Sequence, residues 1–240
     1  MLTKWVQEAW WWLVRLGFYL LYHELAWTYD AVSWLVSLGQ WRAWQRAAVP
    51  WLLETTAAGR RPAVLELAHG PGHLLVILAA AGGRVVGLDL SPEMGRLAQR
   101  RLGRAGLAGQ VTLLRGRGQE LPFANATFDG VLSTFPTEFV LQPATLAAVY
   151  RVLRPGGRFV IVPEGHLSGR DPLSRFIEWL YEITGQRGGD FAVSDDHFWP
   201  GRSDFWQEIR GRFEAAGFRL QVERVTLPRS GVTVVIAHKP

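Results

Sequence analysis

From residue 57 onward, short unbroken apolar runs alternate with longer stretches in which apolar residues recur every three or four positions. Residues 63–68 (AVLELA) form a short apolar run between Arg-Arg-Pro and a glycine-rich turn, the pattern of a strand buried on both faces. Residues 72–81 follow as a helix stopped by Gly82-Gly83, and 84–90 as a second strand. Ser91-Pro92-Glu93 then opens a helix, with serine as cap and proline in the first turn, that ends around 103–106. Further strands are expected at 111–114, 128–134 and 158–162. A helix over 143–153 presents Leu146, Val149, Tyr150 and Leu153 on one face and is stopped by Arg154-Pro155-Gly156-Gly157. A helix over 203–216 leads into two closing strands, 218–227 and 231–238, joined by Pro228-Arg229-Ser230. Repeated β–α units imply a mostly parallel sheet with helices on both faces, and ligands bind such sheets at the carboxyl ends of their strands.

Two pieces stand outside the alternation: an aromatic-rich helical cap over 1–56 and a helical, lid-like insertion over 164–201. Within the insertion Leu173, Phe176, Ile177, Leu180 and Tyr181 fall on one helical face.

With 240 residues, 48% apolar, the chain suits one core rather than two compact domains. It has no cysteine, which excludes disulfides, thiolate metal sites and thiol nucleophiles and fits a reducing cytoplasm. The +5 net charge comes from 24 arginines and 2 lysines; the arginines at 96, 100, 101 and 104 are interrupted by apolar helix positions, so a solvated face is preferred to a nucleic-acid surface. Nine of the twelve tryptophans precede residue 52. The apolar stretch 9–22 contains Arg15 and is shorter than the roughly 20 residues a spanning helix needs, and nothing resembles a cleavable leader. Two readings of this stretch stand side by side: residues 5–22 lie at a membrane–water interface, placing the protein peripherally on a membrane, or the tryptophans pack on the core or against a second copy in a homodimer.

The chemistry is concentrated after the first strand. Glu66-Leu67-Ala68-His69-Gly70-Pro71-Gly72 lets backbone approach a ligand beside a helix N-terminus, and Asp89 at the end of the second strand can accept from two ribose hydroxyls. That pairing alone fits a dinucleotide as well as S-adenosylmethionine. A dinucleotide fingerprint would place a third glycine at 75, where this chain has Leu75, and the closing antiparallel strands are foreign to the plain dinucleotide fold.

In order, VLELAHGPG, GLDLSPEM, RGQELPFANATFDGVLSTF and RVLRPGGRFVIV resemble the motifs of the class I S-adenosylmethionine-dependent methyltransferases, over about residues 28–165. The likeness is greatest to the branch that contains the quinone-biosynthesis enzymes. It implies a Rossmann-like, doubly wound sheet of seven strands, the last antiparallel, within a domain over 57–240. It implies S-adenosyl-L-methionine as cofactor: Glu66 on the methionine amino group, Ala68, His69, Gly70 and Gly72 in the loop, Asp89 with Leu90 at the ribose and Met94 near the adenine. Thr134, Phe135 and Pro136 end the fourth strand and read equally as facing the methyl-transfer point or as an ordinary strand-to-helix turn, and Tyr29, with Asp30, resembles a pair that closes over the cofactor. Trp41 and Trp44 then read equally as lid packing or as acceptor-pocket walls. The chain departs from the pattern at Ala68, where a glycine is usual, and at Arg117, where an acid often contacts the adenine; that contact passes to Gly118 and Gln119.

The acceptor-side base candidates are His166 and Glu164, after the fifth strand, with His69 as a minor alternative. His69 and His73 lack further ligands, and no metal is expected. The acceptor is expected to be small and lipophilic: a quinone precursor, polyprenoid or phospholipid. A binding module without turnover and a nicotinamide oxidoreductase are the competing classes.

Overall fold

The computed structural model describes residues 12, 16, 17, 26–53, 60–169, 172–183 and 203–240. At its centre β1 (Ala63–Leu67) is buried along its whole length, as its unbroken apolar sequence requires. It pairs in parallel with β2 (Arg84–Asp89) on one side and β4 (Phe128–Thr134) on the other. β3 (Val111–Arg115) extends the sheet beyond β2, and β5 (Leu153–Val162) beyond β4. β8 (Ser230–His238) runs antiparallel beside β5, and β7 (Arg219–Leu227) pairs with its far edge, giving the order β3-β2-β1-β4-β5-β8-β7.

Two details differ from the sequence expectation. Val152 ends the helix and β5 begins at once, so Arg154-Pro155-Gly156-Gly157 bulges within a strand rather than separating helix from strand. The register beside β4 shifts there, between Phe128 and Gly130. The sheet also has an eighth strand, β6 (Gly165–Leu167), which continues the edge of β5 along β8. Arg158 to Ile161 face His238 to Val235, whereas Gly165 to Leu167 face Val232 to Ser230, so the register slips by one residue around Pro163-Glu164. Proline has no N–H to give the ladder, which is why the pairing breaks there.

Each face of the sheet buries its own core. On one, Leu65, Leu67, Val131, Phe159 and Ile161 pack under α6 (Pro143–Val152) and α8 (Ser203–Ala215). On the other, Val64, Leu132, Val160, Val162, Val232 and Val234 meet α4 (His73–Ala80) and α5 (Pro92–Arg104). Of three short cap helices, α1 (Tyr29–Val36), α2 (Trp41–Arg46) and α3 (Val49–Leu53), the same face receives the last two through Trp44, Ala48 and Leu52. It also receives Ile177 of α7 (Pro172–Ile183). The apolar stripe expected on α7 is corrected in part: Ser174 and Ile177 are buried, whereas Leu173 and Phe176, each one position (about 100°) round the helix from them, are exposed. The side chains of Leu180 and Tyr181 lie outside the described residues, as does the end of the insertion, 184–202.

At the amino end of the sheet Asp129 ties strands together. Its carboxylate accepts from both terminal nitrogens of Arg60 (2.9 and 2.5 Å), from Arg154 (2.8 Å) and from the Ala63 N–H (2.8 Å). Burial pushes its pKa up, but these donors outweigh burial and hold it below the usual aspartate value. The stabilisation is therefore present above the unfolded-state pKa and is lost as pH falls through the lower folded value. Asp129→Ala should cost about 2 kcal/mol, since the arginines keep part of their hydration, and should shift the urea midpoint less at pH 3 than at pH 7.

Candidate functional site

At the carboxyl end of β1 the chain turns through three left-handed residues, Ala68 (φ +53°), Gly70 (+52°) and Gly72 (+79°). Ala68 holds its conformation by donating its N–H to Leu88 O (2.8 Å), against the cost a Cβ imposes there. Gly72 allows no side chain: an added Cβ would lie 2.7 Å from that of Ala98 in α5. Gly87 is equally constrained by His69, whose Cδ2 would meet a Cβ at 2.8 Å.

Asp89 closes this turn onto the neighbouring strand. Its Oδ2 accepts from Gly70 N–H and its Oδ1 from Ser91 N–H, both at 2.8 Å. A carboxylate offers about four acceptor positions, so two remain for a ligand diol. Ser91 caps α5 by accepting from Met94 N–H at 3.2 Å, with Pro92 at the first helical position.

Between the loop and the ends of β2 and β4 opens a cavity of about 380 Å³, within the range of small-molecule sites. Tyr29, Ala68, Gly70, Asp89, Leu90, Met94, Gly118, Gln119, Thr134 and Phe135 all line it, so the structure brings together most of the cofactor residues expected from sequence. Ser91, Thr137 and Phe139 also line it and were not anticipated. Gly118 leaves room for the Phe139 ring, which an added Cβ there would meet at 2.9 Å. Arg117 is at the wall, and Gln119 donates to Gln142 Oε1 at 2.7 Å.

Glu66, His69 and Gly72 stand behind the wall. Glu66 is 1% exposed and its Oε2 has no hydrogen-bond partner among the described residues. Burial pushes its carboxyl well above the usual range, and the negative charge of Asp89 adds to the effect. His69 donates from Nδ1 to Gly70 O (2.7 Å); burial lowers its pKa although Asp89 pulls the other way. Glu164 and His166 are not brought to the cavity. The Glu164 carbonyl accepts from Thr233 N–H (3.2 Å), and exposed His166 lies across Gly231, where an added Cβ would meet its Nε2 at 2.3 Å.

The cap closes the open side. Asp30 accepts from His73 Nε2 at 2.8 Å and from Arg101, which also donates to Pro71 O, so α1 is fastened to α4 and α5, and α5 to the loop between β1 and α4. The hydrogen bond and charge of His73, with the charge of Arg101, hold the Asp30 pKa low against burial. His73 thus serves this contact. Next to Asp30, Tyr29 meets Trp41 edge-on (6.4 Å), and Trp41 stacks on Phe135 at 3.9 Å. Phe135 is itself left-handed (φ +49°), with its N–H held by Val162 O at 2.7 Å.

S-adenosylmethionine fits this donor set: the orphaned Glu66 oxygen suits an ammonium and the anchored Asp89 carboxylate a diol.

Residues 64–157 match the model of a methyltransferase domain. The chain is 36% identical to the demethylmenaquinone methyltransferase of Symbiobacterium thermophilum, over 68% of this chain and 63% of that protein's length. It is 34% identical to the ubiquinone/menaquinone biosynthesis C-methyltransferase UbiE of Brucella anthropi, over 83% of this chain and 80% of that protein. In fold it is similar to a putative S-adenosyl-L-methionine-dependent methyltransferase from Methanococcus maripaludis (TM-score 0.57, 18% identity, 90% of this chain and 92% of that one). It is similar also to the geranyl diphosphate C-methyltransferase of Streptomyces coelicolor A3(2), solved with S-adenosyl-L-homocysteine (TM-score 0.56, 12% identity, 82% and 79%). With the loop, the acid after β2 and the strand order in place, these likenesses settle the family: the chain belongs to the class I S-adenosylmethionine-dependent methyltransferases, beside the quinone-biosynthesis enzymes.

Proposed function

We propose that the protein transfers the methyl group of S-adenosylmethionine directly to a small lipophilic acceptor of the quinone-precursor type. The observation that carries this reading is the buried Glu66 oxygen with no hydrogen-bond partner among the described residues, set behind the wall of a cavity that Asp89 lines. The cofactor supplies an already activated methyl group, so the chain's task is positional. Glu66 holds the amino group, Asp89 the ribose, and Met94, Gly118 and Gln119 enclose the adenine. Thr134 and Phe135 face the acceptor side, and Tyr29 with the cap excludes water. The printed activities of the Symbiobacterium and Brucella relatives support a quinone-type acceptor.

The reading extends to a cytoplasmic protein that touches membrane. No helix of the described residues is long and apolar enough to span a bilayer. Segment 5–22 lies outside the described residues apart from Trp12, Leu16 and Gly17, and Trp12 is exposed. Exposed Trp27, Trp34 and Leu35 on the cap, near exposed Arg42 and Arg46, support contact with an anionic lipid interface.

Four outcomes are expected. Incubation with a methyl-labelled donor and a membrane-lipid extract should move label into an organic-extractable product; tight donor binding with no transfer would leave only a binding module. Asp89→Ala should weaken S-adenosylhomocysteine binding about 10- to 100-fold by calorimetry, the effect of losing charged hydrogen bonds, and unchanged affinity would displace the ribose from Asp89. Because Glu66 keeps its proton above the ordinary carboxylate range until the ammonium arrives, affinity should rise with pH by up to about tenfold per unit until the free carboxyl ionises. Over the same window the ligand-free fold binds a proton the unfolded chain has lost, so its stability should fall as pH rises. Glu66→Gln should flatten both curves. For the membrane, the Trp27→Ala/Trp34→Ala protein should co-sediment less with anionic vesicles; equal sedimentation removes the cap from that contact.

A further inference from the structure

Trp41, Trp44 and Gln45 share one face of α2, at the i, i+3, i+4 spacing that brings helix side chains together. Each carries a buried polar atom with no hydrogen-bond partner among the described residues: the two indole nitrogens and Gln45 Oε1. Trp44 is 1% and Gln45 9% exposed, so bulk water does not supply the missing bonds. Leaving a buried donor or acceptor unsatisfied costs about 1–3 kcal/mol, and three on a single helix face is a concentration that packing alone does not explain. They lie behind the acceptor end of the cavity. Gln45 Nε2 donates to Thr134 Oγ1 (3.2 Å), and Thr134 is a wall residue. Trp41 stacks on Phe135, also at the wall, and Trp44 stands 6.1 Å from the same ring.

The chemistry of the three atoms is specific. Two donors and one acceptor satisfy a hydroxyl, which gives one hydrogen and receives others on its oxygen; a carbonyl would leave Gln45 Oε1 unmet. The surrounding rings favour a flat aromatic partner. Phe135 provides the way in: a non-glycine residue held left-handed stores strain that its backbone would release on leaving that conformation, carrying the ring with it.

We propose that the Trp41–Trp44–Gln45 face of α2 determines acceptor specificity by binding a ring hydroxyl of an aromatic acceptor, whose ring takes the place of Phe135 against Trp41. This rests on the methyl-transfer reading for its biological sense, but not for its test.

The test is anaerobic calorimetry with S-adenosylhomocysteine saturating, comparing 1,4-dihydroxynaphthalene with naphthalene, the same ring without its hydroxyls. The wild-type protein should bind the diol at least tenfold more tightly. In Trp41→Phe, Trp44→Phe and Gln45→Leu, each of which keeps an apolar group of similar shape, that preference should drop below threefold. Melting temperature and S-adenosylhomocysteine affinity are measured first, and Gln45→Leu carries the comparison if W44F does not fold. A tenfold preference that survives in the folded variants, or no preference in the wild type, overturns the assignment. A preference that the variants abolish, in a protein that transfers no methyl group, supports the docking face and removes only the methyl-transfer reading. Transfer that persists with the preference untouched by substitution removes this assignment alone.

Discussion

The site depends on one carboxylate. Asp89 joins two backbone N–H groups from different connections, Gly70 after β1 and Ser91 before α5, and so fixes the gap between two parallel strands that would otherwise diverge into separate loops. Charged hydrogen bonds to backbone are stronger than neutral ones, and both are held at 2.8 Å. The left-handed turn, the entry to α5 and the cavity floor follow from that bridge. So does the electrostatic state of Glu66, because the charge that organises the loop also opposes ionisation of its buried neighbour. The site is thereby prepared for a cation: one acid is fastened by backbone donors, and burial disfavours ionisation of the other until positive charge arrives.

A second carboxylate does comparable work for the cap. Asp30 bridges His73 and Arg101 across more than forty residues of sequence, and this places Tyr29 and the indole cluster over the cavity mouth. Short helices such as α2 and α3 have little stability of their own. Their placement comes from Trp44, Ala48 and Leu52 sinking into the sheet face. The cap is in this sense a side-chain construction laid on the parallel sheet, with few backbone bonds to it.

Much of the sheet was legible because its strands are continuous apolar runs and its turns carry glycine or proline where geometry demands them. Gly70, Gly72 and Asp89 were likewise readable, since backbone approach and diol binding restrict the residue types that serve. What escaped were features set by tertiary register. Phe139 reaches the wall only through a short 3-10 turn, Glu138–Leu141, that has no periodicity to detect. Gln45 carries no local signal, since its contact with Thr134 spans 89 positions. Within α7, Ser174 and Ile177 are the buried positions and Leu173 and Phe176 the exposed ones, a choice of face that no local pattern encodes.

The slip between β5 and β6 has a larger effect than its size suggests. Side chains alternate sides along a strand, so an offset of one position exchanges them. Val160 and Val162 point to the layer that holds Trp44; uninterrupted alternation would send Glu164 and His166 there too. Instead Gly165 packs against the Trp44 indole and Leu167 joins that layer, while the two ionisable residues take the opposite parity. A single imino acid thus keeps charge away from an aromatic compartment. Straightening that kink with all of its residues kept would invert the arrangement, carrying a carboxylate and an imidazole into the space beneath the indoles.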